Sequence, residues 1–124
     1  MPSRLAVAAL AALAPLTLAA CEKQNPYVTL YSEGVVVKAQ ATRYCRGDDC
    51  RTTNDVPEIT LRKGNRIGID VPRSLAEQGW QLEGEREFTT EHYRVVSLRE
   101  AGVIRILRDP RHGVGEWRFS IKAG

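Results

Sequence analysis

Two stretches near the front of the chain alternate with a period of two. Val28 and Leu30 alternate with Tyr27, Thr29 and Tyr31, and Val35, Val37, Ala39 and Ala41 alternate with Val36, Lys38, Gln40 and Thr42. This pattern predicts two strands, each with one apolar face. Register selects the turn between them. A two-residue loop at Glu33-Gly34 sets Leu30 opposite Val37 and Val28 opposite Ala39, so both apolar sets share a face, whereas a three-residue loop splits them. The hairpin is therefore expected to turn at Glu33-Gly34, with Gly34 supplying a positive φ. The same register turns Tyr27 and Tyr31 outward beside Lys38 and Gln40.

Arg43 to Asn54 is polar and carries Cys45 and Cys50, which suggests an excursion from the sheet. Ile59 and Leu61 then open a second predicted hairpin that turns at Lys63-Gly64-Asn65 and returns through Ile67, Ile69 and Val71. Pro72 ends that strand, having no amide hydrogen for a ladder. Ser74-Leu75-Ala76-Glu77 fits a capping box, and Gly79 stands at the C-cap position, so one helical turn is expected there. Trp80 and Leu82 resume an extended run, Arg94 to Leu98 gives a middling strand signal around Val95, and Ile104 and Ile106 give another. After the turn residues Asp109-Pro110-Arg111-His112-Gly113, Trp117, Phe119 and Ile121 alternate with Glu116, Arg118, Ser120 and Lys122 in the clearest strand of all. Seven or eight short strands with almost no helical period predict an all-β fold, an antiparallel two-sheet, immunoglobulin-like sandwich with Trp80, Trp117 and Phe119 in its core. A small β-barrel is the alternative.

The first twenty residues have a different character. Met1 to Arg4 carries one positive charge, and Leu5 to Ala20 is an uncharged run of Ala, Leu and Val interrupted by Pro15 and Thr17. That is the plan of a secretory signal helix, and its sixteen residues fall short of the roughly 20 needed to cross a bilayer. Leu18-Ala19-Ala20-Cys21 resembles the lipobox of bacterial lipoproteins. The resemblance implies that residues 1–20 are removed and that Cys21 becomes the mature N-terminus, its thiol carrying a diacylglyceryl group. Residues 21–26 would then be a short tether whose five extended residues after Cys21 reach at most about 18 Å, and residues 27–124 a single β-sandwich domain close to the extracytoplasmic face of the cell membrane.

Charge and cysteine count narrow the picture. The formal charge of +3 includes Arg4, and acids and bases are mixed along the rest of the chain, so no nucleic-acid footprint is indicated. Of three cysteines, assigning Cys21 to lipid leaves Cys45 and Cys50 as a local pair. In an oxidising compartment the simplest reading is a disulfide pinning Arg46-Gly47-Asp48-Asp49. A metal site using the same two cysteines with Asp48 and Asp49 is the alternative, although it mixes soft and hard donors.

The lipobox, the Tyr44-Cys45 to Cys50 element, and Gly64-Asn65-Arg66-Ile67-Gly68-Ile69-Asp70-Val71-Pro72 followed by Leu75-Ala76 and Trp80 together resemble an actinobacterial lipoprotein family known as domain of unknown function 2771. The resemblance covers most of the chain after Cys21 and implies a β-sandwich lipoprotein with no assigned activity. It brings no functional residues with it.

Candidate chemistry is sparse. No nucleophile elbow, paired-histidine helix or phosphate-cradling glycine loop is present, so no catalytic residue and no cofactor is expected. His92 and His112 are the only histidines, with Glu91 and Asp109 near them in sequence. Tyr27, Tyr31 and Tyr44, with Lys38 and Gln40, form the candidate binding face, because exposed tyrosines suit protein or glycan contacts. The expected function is that of a non-enzymatic binding or accessory module of the cell envelope, held to the membrane by its lipid and meeting an envelope protein or glycan. A metal-handling envelope protein using the Cys45–Cys50 loop is the alternative.

Overall fold

The computed structural model describes residues 23–61 and 66–124. The predicted signal, Cys21 and the turn at Lys63-Gly64-Asn65 lie outside them. The described residues form two stacked sheets and one short helix, with no closed barrel. The strands are β1 (Tyr27–Ser32), β2 (Val35–Gln40), β3 (Arg43–Arg46), β4 (Asp49–Thr52), β5 (Glu58–Leu61), β6 (Arg66–Asp70), β7 (Trp80–Leu82), β8 (Tyr93–Ser97), β9 (Gly102–Arg108) and β10 (Gly115–Ala123), with helix α1 (Arg73–Gln78) between β6 and β7. The first sheet has the order β2-β1-β6-β8, and the second β4-β3-β10-β9-β7 with β5 also on β10.

The first hairpin follows from its alternation. Leu30 pairs with Val37 and Val28 with Ala39, as the two-residue loop requires. Glu33 and Gly34 both have positive φ, 34° and 81°, the combination whose twist matches a two-residue hairpin.

Two later segments fold differently from expectation. Arg43 to Asn54 is not an excursion: β3 and β4 form a hairpin with Cys45 opposite Cys50, and β3 extends the second sheet along the start of β10. Nor do β5 and β6 form a hairpin. Strand β5 lies parallel to the end of β10, from Ser120↔Glu58 to Ala123↔Leu61, while β6 joins the first sheet between β1 and β8. The alternating apolar residues of both strands are satisfied by either arrangement, because each sheet buries one face against the other. The extra pairs bring the strand count among the described residues to ten.

Pro72 does end β6, but the capping box does not form. With φ −57° and ψ 146°, Pro72 itself is the helix N-cap. The helix starts at Arg73, and the Ala76 amide donates to the Pro72 carbonyl at 3.0 Å. Ser74 is thereby moved inside the first turn, where it makes no cap bond. Gly79 closes the helix as expected, its amide donating to Leu75 and Ala76 carbonyls.

The core between the sheets is built from Val28, Leu30, Ile67 and Ile69 on one side and Ile106, Trp117, Phe119 and Ile121 on the other, with Trp80 closing one end. Trp117 is fully buried, and its Nε1–H donates to the Pro26 carbonyl at 2.9 Å. Trp117→Ala removes both the largest central side chain and this bond. Urea unfolding should show a loss of about 3–5 kcal/mol, at the upper end because the Pro26 carbonyl is left without that donor.

Candidate functional site

The outer face of the first sheet carries the candidate binding residues, placed there by alternation along four strands. Across it runs a row Val36–Tyr31–Gly68–Val95, and beside it a row Lys38–Thr29–Asp70–Tyr93, with Gln40 opposite Tyr27 beyond. Tyr31 and Tyr93 meet edge to face, ring centroids 6.3 Å apart at 62°. Gly68 makes this possible: the Tyr93 ring lies over it, and a Cβ there would collide with the Tyr93 hydroxyl. Val36 and Val95 flank the tyrosines and are 56% and 55% exposed. The result is an aromatic and aliphatic patch about 14 Å across four strands, with Lys38 exposed at its margin and Asp70 half-buried. Gln40 is half-buried, and its backbone N–H donates to the Asp55 carboxylate at 2.7 Å.

Tyr44 does not join Tyr27 and Tyr31. It lies on β3 in the other sheet, packed edge-on to Trp117 at 6.0 Å, with the guanidinium carbons of Arg46 and Arg108 4.9 and 4.6 Å from its ring centroid. In its place the structure brings in Tyr93 and Val95, which sequence reasoning missed. Their alternation was visible, but the β6–β8 pairing that sets them beside Tyr31 is not a local feature.

The β3–β4 hairpin holds Cys45 and Cys50 as a disulfide, Cα to Cα 4.0 Å. The two sulfurs are bonded to each other, and among the described residues no group of three metal-ligating side chains comes together. Arg108, 8% exposed, donates to Gln78 Oε1 at 2.8 Å and to the Cys45 carbonyl at 3.1 Å, joining this hairpin to the end of α1.

Two further polar clusters tie loops to the sheets. Arg94 lies 5.4 Å from the Trp80 ring and clasps Glu85 through two bonds of 2.9 and 2.6 Å, while Trp80 Nε1–H donates to the Glu91 carbonyl at 2.7 Å. The Arg94 guanidinium holds the Glu85 carboxyl below the ordinary carboxylate range, aided by the Leu82 amide. Asp109, almost fully buried, accepts from the Arg111 guanidinium and backbone amide, and these bonds lower its pKa. They close a single 3-10 turn at Pro110–His112. His92 precedes β8, its carbonyl accepting from the Val71 amide, and His112 sits in the 3-10 turn, its amide donating to the Asp109 carbonyl.

A family model described as a protein of unknown function (DUF2771) matches residues 21–100, 80 of the 124 positions. The chain belongs to the DUF2771 family. No curated protein and no solved structure matches it. The family match begins at Cys21 and takes in β1 to β8, and so the whole outer face of the first sheet; β9 and β10 follow it.

The Glu85–Arg94 pair gives a pH signature. Because the folded pKa of Glu85 is depressed, its contribution to stability is present above the unfolded carboxylate value near 4.3 and is lost as pH falls through the folded value. Arg94→Gln should cost about 0.5 kcal/mol at pH 7, small because the pair is partly solvated. Denaturation curves of parent and variant should converge as the pH drops below that folded value.

Proposed function

We propose that this chain is a lipid-anchored, non-enzymatic binding module on the extracytoplasmic side of the cell membrane, and that the outer face of its first sheet takes an envelope protein. The Tyr31–Tyr93 pair over Gly68, flanked by exposed Val36 and Val95, carries the reading. Tyrosines supply large contact area at low entropic cost, and contiguous exposed apolar surface is a mark of an interaction site. The two valines favour a protein over a glycan, since a sugar would leave their aliphatic surface without an apolar partner. The Leu18–Cys21 lipobox, the family match starting at Cys21 and the Cys45–Cys50 disulfide agree with export to an oxidising compartment. Two acyl chains on Cys21 would supply the anchor, at about 0.8 kcal/mol per buried methylene.

Fatty-acid labelling tests the anchor: the parent should be labelled and sediment with membranes, and Cys21→Ala should lose both properties. The face is tested by a photocrosslinker replacing Val36, with a control replacing Arg118 on the exposed side of the other sheet. A discrete protein adduct is expected from position 36 alone. Gly68→Ala, which pushes the Tyr93 ring aside, should abolish it while changing stability by no more than about 1 kcal/mol. An adduct indifferent to Gly68→Ala and to Tyr31→Ala would overturn the assignment of the face.

A further inference from the structure

The described chain begins at Lys23, and from there it does not stand off from the domain. Asn25 is 2% exposed, and its Nδ2 donates to the Ala41 and Arg51 carbonyls at 3.1 and 3.0 Å. The Pro26 carbonyl accepts from the Ala41 amide and from Trp117 Nε1, both at 2.9 Å. From the cysteine hairpin, Arg46 donates to the Gln24 carbonyl at 2.8 Å and Arg51 to the Lys23 carbonyl at 3.3 Å. These two arginines directly follow Cys45 and Cys50, so the disulfide fixes the relative position of both donors. Residues 23–26 are thus strapped to the fold by six hydrogen bonds.

We infer that this strap sets the orientation of the domain on the bilayer, and that the end of the sandwich bearing the β3–β4 hairpin and the 110–114 segment is its surface for phospholipid headgroups. The inference rests on the Cys21 anchor proposed above. Only Glu22 separates Cys21 from Lys23, and two residues reach at most about 7 Å, too little for the domain to turn over. Topology identifies which residues share that end. Strand β1 leaves Pro26 and runs away from it, so the Glu33-Gly34 turn lies about 20 Å off at the opposite end. Strand β3 runs antiparallel to β10 and overhangs its start, carrying Gly47 and Asp48 beyond it, and the Cys45 amide donates to Val114. Strand β6 also runs toward this end, bringing Arg73 there. The exposed charges are mixed, Lys23, Arg73 and Arg111 against Asp48, Asp49 and Glu77. Orientation therefore comes from the strap rather than from attraction to anionic lipid and should not depend on salt. Tyr27 faces out nearest the membrane, with Tyr31 about 13 Å further along the strand; a partner for that face is itself membrane-bound or lies flat on the surface.

Membrane vesicles from cells making the full, lipid-labelled protein test this. A photocrosslinker replacing Val114 or Asp48 should form phospholipid adducts, and one replacing Glu33 should form none, at low and high salt alike. Arg46→Ala combined with Arg51→Ala removes the two bonds that hold Lys23 and Gln24, so that four residues reaching about 14 Å, rather than two, separate Cys21 from the first strapped residue, Asn25. It should cut the adduct at Val114 several-fold and raise that at Glu33, leaving fatty-acid label and membrane fraction unchanged. Equal adducts at both ends in a labelled, membrane-bound parent, or adducts at Val114 that vanish in high salt, overturn the strap while sparing the anchor. A parent without fatty-acid label removes the anchor and the orientation together.

Discussion

The burial of Trp117 is the constraint on which the other contacts converge. A tryptophan in the middle of a sandwich must find an acceptor for its ring N–H, and here the acceptor is the Pro26 carbonyl, one residue before the first strand. That requirement draws the N-terminal segment across the end of the domain. The edge contact with Tyr44 then draws β3 against the same ring, and the guanidinium carbons of Arg46 and Arg108 lie 4.9 and 4.6 Å from the Tyr44 ring centroid. One indole therefore ties together the residue before β1, 91 positions away in sequence, the cysteine hairpin and, through Tyr44, the end of β9.

The outer face of the first sheet shows the same economy. Gly68 has neighbours on both sides in the sheet, and its missing side chain is covered by Tyr93 from the next strand. An aromatic over a strand glycine shields a backbone that would otherwise be open to water. What makes the face a candidate site is that the covering ring stays 46% exposed and has Tyr31 as its neighbour.

How much was legible in the sequence depends on whether a feature is local. The β1–β2 hairpin was readable because alternation and a two-residue turn determine register without reference to the rest of the chain. Trp117, Phe119 and Ile121 were readable as core for the same reason. The partners of β5 and β6 were not, since alternation states that a strand has a buried face and is silent on which neighbour it pairs with. The helix start moved because Pro72, placed to end a strand, also has its φ locked by its ring at a value that suits the residue from which a helix departs. In the candidate face, Tyr27, Tyr31 and Lys38 were found through a local register, Tyr44 was misplaced because its segment looked too polar for a strand, and Tyr93 was invisible until β8 met β6. Two of these misses trace to pairing across long sequence separations, where closure entropy rather than local preference governs the outcome.

The path of force through the molecule follows from the way Lys23 to Pro26 are held. Tension applied at the N-terminus does not fall first on the β1–β2 ladder. It is taken up by the Asn25 amide, the Pro26 carbonyl and the two hairpin arginines, which pass it into the cross-linked hairpin and, through the indole, into the middle of the second sheet. Tugging on that terminus loads several elements in parallel, so the domain resists being peeled open strand by strand.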